Sequence, residues 1–103
     1  MGRISVVGRI MAETAGYEIS VSGRNDGTIE AAYVRLKEGK VAKTEEIVSD
    51  VLLADYNIRG ALLGIEILAP VKIADLAKLI AEPQRRPFRR FIRQAAPGDL
   101  VHA

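Results

Sequence analysis

Five arginines fall within nine residues near one end of the chain: Arg85, Arg86, Arg89, Arg90 and Arg93. Each guanidinium carries a permanent charge and a planar fork of donors, so the run suits phosphates or carboxylates. Its neighbours are patterned. If the segment from Pro87 to about Ala96 is helical, Phe88, Phe91, Ile92 and Ala95 share roughly 100° of arc, and Arg86, Arg89, Arg90 and Arg93 fill the facing arc. Proline suits the first helical position. A helix this short is not stable alone in water, so its apolar stripe must dock on the body of the chain, on a second subunit or on a partner. Arg86, Arg89, Arg90, Arg93, Phe88 and Phe91 are therefore the partner-binding candidates. An acidic protein groove, nucleic-acid phosphates and an anionic membrane surface are the occupants they suit; the alternative is a docked helix with solvated arginines.

The rest of the chain offers little reactive chemistry. Nucleophilic catalysis needs a base beside the nucleophile, and the single histidine, His102, is next to last and expected to fray. Asp55 and Glu66 are the carboxylates to weigh as a pair. If Tyr56 pairs with Ala61, Asp55 faces Leu62 and stands about 13 Å from Glu66, too far for a catalytic dyad. Asp55 then reads as a turn acceptor for backbone amides, and Glu66, flanked by isoleucines, as a charge paired with a lysine or arginine. Glu45, Glu46 and Asp50 read as a solvated acidic stretch rather than a metal site. Gly23, Gly27, Gly60 and Gly64 fit neither a phosphate loop nor a dinucleotide fingerprint. The expectation is no enzyme: no catalytic residue, no cofactor and no metal.

Elements that would position these residues are legible in the periodicity. Tyr17, Ile19 and Val21 alternate with Glu18, Ser20 and Ser22, a strand with one buried face. A turn at Arg24 to Gly27 leads into a strand from Thr28 to Leu36, and Glu38-Gly39-Lys40 reads as a hairpin turn into a returning strand, Val41 to Val48. Val51 to Tyr56 and Ala61 to Leu68 form a hairpin in which Asn57 caps the turn and Gly60 takes a left-handed conformation. Its core face holds Leu52, Ala54, Tyr56, Leu63, Ile65 and Ile67. The other face is mixed, with Leu53, Leu62 and Leu68 beside Asp55 and Glu66, which suggests partial cover by another chain or by the N-terminal segment. Ile73, Leu76, Ala77 and Ile80 then show helical spacing, and Pro83 ends that helix. The class is α+β: an antiparallel meander of four or five strands, one helix packed on a face, and a short basic C-terminal helix.

Within this frame, Glu30-Ala31-Ala32-Tyr33-Val34, Thr44-Glu45-Glu46, Asp55-Tyr56-Asn57-Ile58-Arg59-Gly60 and Leu63-Gly64-Ile65-Glu66-Ile67-Leu68 form a pattern. It resembles the small prokaryotic family catalogued as domain of unknown function 2283. The resemblance covers about residues 17–75, and its motif residues are Glu30, Tyr33, Asp55, Gly60, Gly64 and Glu66. It implies a compact sheet with a helix, and a companion, antitoxin-like, to a small ribonuclease-like toxin. The chain departs from the family in having Glu30 for an aspartate, Asn57 for a second acid, and the arginine-rich tail.

At 103 residues, 49% hydrophobic and 27% charged, the chain suits one small domain with a thin core. Its charge is segregated. Residues 1–81 sum to −1 and residues 82–103 to +3. The expected organisation is an N-terminal extension over 1–16, with Met11 a candidate start, a sheet-plus-helix domain over 17–82, and an amphipathic tail over 83–103. The longest charge-free run, Gly60 to Ile65, is six residues, far short of the roughly twenty of a membrane span. The cysteine-free composition fits the cytoplasm. A homodimer is expected, and function through a small protein partner, with nucleic acid as the alternative.

Overall fold

The computed structural model describes residues 4–6, as backbone alone, and residues 16–103. The expected N-terminal extension and the start at Met11 otherwise lie outside the described residues. Among the described residues eight strands and two helices follow in chain order: β1 Ile4–Val6, β2 Glu18–Gly23, β3 Ile29–Arg35, β4 Lys43–Val48, β5 Leu52–Tyr56, β6 Leu62–Ile67, β7 Val71–Lys72, α1 Ile73–Ala77, α2 Arg85–Ala95 and β8 Val101–His102. β1 to β6 make one antiparallel sheet in the order β1-β2-β3-β6-β5-β4. The class is α+β, as the periodicity predicts.

Local chemistry sets the two tight hairpins. Between β2 and β3, Asp26 Oδ1 accepts from the Thr28 amide at 3.0 Å and its hydroxyl at 2.7 Å. Those bonds, the amide's first, hold the Asp26 carboxyl below the usual range. Between β5 and β6, Asn57 Oδ1 accepts from the Arg59 and Ala61 amides, each at 2.9 Å, and Gly60 has φ +84°. This is the expected turn chemistry.

The Glu38 to Lys40 segment departs from expectation. It does not join neighbours: β3 lies beside β6, and β4 is two strands further on. Residues 36–42 cross the end of the β5–β6 hairpin, with the Leu36 and Lys37 amides donating to Leu63 O and the Ala42 amide to Tyr56 O. β3 to β6 thus form a Greek key rather than a simple meander.

Register also differs from the symmetric pairing. Leu52 pairs with Ile67, Ala54 with Ile65 and Asp55 with Gly64, before a shift leaves Tyr56 opposite Leu62. The body of the hairpin is displaced by two residues, and an even displacement keeps every side chain on its face. Leu52, Ala54, Leu63, Ile65 and Ile67 are accordingly buried. The exceptions lie at the shift, where Tyr56 is only half-buried and Leu62 packs against the core.

The inner face of the sheet shares one hydrophobic cluster with Ile73, Leu76 and Ile80 of the α1 segment and with Phe88, Phe91 and Ile92 of α2. Tyr17 meets both rings edge-on, at 6.0 Å from Phe88 and 5.5 Å from Phe91. Leu100 and Val101 join the same cluster, so residues 83–103 complete the core of residues 17–82. The C-terminus is correspondingly ordered. His102, expected to fray, pairs with Lys72 in a parallel β7–β8 bridge because the buried Leu100 and Val101 anchor the chain beside it.

Candidate functional site

Two groups of side chains stand out, one on the outer face of the sheet and one on α2. The first gathers most of the motif residues across four strands. Gly64 is where a side chain is missing: a Cβ there would collide with the Tyr33 hydroxyl and ring. The Tyr33 ring crosses over Gly64 and donates its hydroxyl to Asp55 Oδ2 at 2.9 Å. Thr44 donates to Asp55 Oδ1 at 2.6 Å from the other side. Asp55 is therefore an acceptor for two cross-strand hydroxyls. It is not the expected acceptor of turn amides, because Asn57 fills that role.

Glu66 faces Tyr33 on one side and Leu53 on the other. Its position corrects the predicted separation. With Asp55 opposite Gly64, Glu66 is a diagonal neighbour at roughly 7 to 8 Å between backbones, not about 13 Å. The expected basic partner is missing, since no ion pair among the described residues involves Glu66. Burial first, then the hydrogen bond and charge of Asp55 and the charge of Glu66, push the Tyr33 hydroxyl up to about 12. Of the other motif residues, Glu30 approaches Arg24 at 3.6 Å and Gly60 serves the turn. Glu45, Glu46 and Asp50 do not converge: Lys43 pairs with Glu45 at 3.3 Å, and the Asp50 amide donates to Glu46 at 3.2 Å. No group of three or more potential metal-ligating residues is assembled among the described residues.

The second group is the arginine face of α2. The helix starts at Arg85, two residues before the expected Pro87, and Arg85 anchors it to the preceding segment. Its Nε donates to the carbonyls of Ala77 and Ile80, each at 3.0 Å, and a terminal nitrogen lies 3.5 Å from Glu82. Phe88 and Phe91, expected among the partner contacts, are buried in the chain's own core, at 0% and 2% exposure, since the apolar stripe docks on the body. That leaves Arg86, Arg90 and Arg93 exposed, with Arg85 and Arg89 half-buried. Arg85, Arg86, Arg89, Arg90 and Arg93 line an open groove of about 610 Å³ with Glu82 and Gln94. Arg86, Arg89, Arg90 and Arg93 have no acidic partner among the described residues. Arg89 Nε is buried without an acceptor, a feature periodicity does not reveal.

The fold and the Tyr33–Asp55–Thr44 hydrogen bonds define a small α+β domain built on a Greek-key sheet with a tyrosine laid across a glycine. Residues 26–69, from the β2–β3 turn through β6, match the model of the family described as "Protein of unknown function (DUF2283)", the family the sequence resembles. Glu30, Tyr33, Asp55, Gly60, Gly64 and Glu66 all lie inside the match, and the arginine face lies outside it. No curated protein and no solved structure matches significantly. No helix among the described residues is long and apolar enough to cross a membrane.

Proposed function

We propose that the chain is a non-enzymatic interaction protein of the cytoplasm, a small regulatory partner that engages an oppositely charged macromolecule through the arginine face of α2. One observation carries this reading: the apolar side of α2 is used by the chain's own core, while four arginines on its other side have no acidic partner among the described residues. Like charges three and four residues apart on a helix repel, and nothing on this helix offsets them. An acidic partner protein, to which the chain would be the antitoxin-like companion, and a nucleic acid are the two classes of partner that this charge suits. A non-enzymatic role is supported by Asp55, both of whose oxygens are taken by hydroxyl donors. The test is capture of partners from the native cell by the full chain and by Arg89→Gln/Arg90→Gln/Arg93→Gln. Equal capture by both removes the reading.

The same reading includes a homodimer. On the outer side of the sheet Leu53 is only half-buried, and Leu68 is exposed. A second copy would cover this surface. Sedimentation equilibrium that fits a monomer throughout a micromolar concentration series counts against it.

A further inference from the structure

We infer that the arginine face of α2 binds the phosphate backbone of a duplex nucleic acid. The inference rests on the proposal that this face is an interface and adds what it takes.

The composition of the face selects the ligand. Every cation on α2 is an arginine, the residue whose fork matches oxygen anions in two-point contacts. Protein interfaces draw most of their affinity from buried apolar and aromatic anchors. Here there are none: Phe88, Phe91 and Ile92 are turned inward, and the exposed large hydrophobics Val41, Val48, Ile58 and Leu68 all lie outside α2. A phosphate backbone needs no such anchor, because arginines that displace condensed counterions supply the affinity. Without an exposed aromatic on the face, unpaired bases lack the ring platforms on which single-strand binders stack them, which favours a duplex over a single strand.

Geometry adds to this. From Arg86 to Arg93 the helix rises about 10 Å, the axial length of roughly three phosphates on one strand. No acid occupies the first turn of α2, so the positive end of its dipole adds to the field of Arg85 and Arg86. Arg89 lies one turn from both Arg85 and Arg93, and its Nε is buried with no acceptor. No bond holds that rotamer. Turning the fork outward onto a phosphate satisfies a donor that the free protein leaves unpaired.

The test is fluorescence anisotropy with the full chain and three probes: a labelled mixed-sequence DNA duplex, an RNA duplex of the same sequence, and labelled polyglutamate. We expect binding to at least one duplex, with log K falling against log salt at a slope of about −3 to −4, and weaker binding to polyglutamate. Arg86→Gln/Arg90→Gln/Arg93→Gln keeps Arg85 in its bonds to Ala77 and Ile80, so its melting temperature should match the wild type. Its slope should fall to about −1. Arg89→Lys preserves charge and removes the fork; it should keep the slope and bind about tenfold more weakly. Failure to bind either duplex, or tighter binding of polyglutamate, overturns the nucleic-acid inference. If polyglutamate binding is lost in the triple variant, the interface reading still stands. If the triple variant binds every probe as the wild type does, both fail. An unchanged affinity in Arg89→Lys overturns the role given to the fork.

Discussion

Gly64 is required for space, not for backbone conformation: its missing side chain is what lets Tyr33 reach Asp55. Gly64→Ala should push the ring off Asp55 and cost about 1 to 3 kcal/mol. In a Tyr33→Ala background, where no ring remains to displace, that cost should largely vanish, and a double-mutant cycle by urea denaturation would show the coupling. Tyr33 also has a pH signature. Its hydroxyl is raised from 10.0 to about 12 in the folded chain, so the stability it contributes is full below about pH 10 and is lost as pH rises toward 12. Wild type should exceed Tyr33→Phe by about 1 kcal/mol at neutral pH. Denaturation midpoints of the two proteins should converge across that alkaline window, and a constant gap would contradict the assignment. The sequence marks Gly64, Tyr33 and Asp55 as members of one pattern without saying that they touch, because the residues sit on three strands and only the observed register stacks them.

Among the elements, α2 makes the clearest statement about sequence and structure. Its two faces were legible from helical spacing alone, since burial follows the apolar stripe of Phe88, Phe91 and Ile92. What that stripe docks on was not, because periodicity says that a face is covered and not by what. With both rings in the core, Phe88→Ala or Phe91→Ala should each cost about 3 to 5 kcal/mol, read as a lowered midpoint of thermal unfolding. Ile65, fully buried on β6, should cost about 2 to 5 kcal/mol when cut to alanine. Strand order was harder to read than strand identity. Glu38-Gly39-Lys40 has the composition of a hairpin turn, yet the chain passes over Leu63, where a Cβ on Gly39 would lie 3.1 Å from a methyl of that leucine. Local turn chemistry could not reveal that β6, arriving about thirty residues later, takes the place beside β3.

For the whole molecule, the composition break near Pro83 is a boundary in charge and not in packing. The tail supplies Phe88, Phe91, Ile92, Leu100 and Val101 to one cluster with the sheet. Deleting residues 83–103 should therefore expose the inner face of the sheet. The truncated chain is expected to lose cooperative unfolding and to bind a hydrophobic dye, whereas a self-standing domain over 17–82 would melt as sharply as the full chain. Partner binding is for this reason best probed by substitution on the arginine face rather than by truncation.

The β7–β8 bridge, two residues on each side, sets an order of events during synthesis. Val101 follows every strand of the large sheet in chain order, and it closes over a core whose sheet strands are made first. Until residues 85–102 have been made, Ile19, Val34 and Ile65 have neither α2 nor β8 to cover them. The nascent chain is then an open sheet with an apolar face, a form prone to aggregation, until α2 and β8 complete the fold.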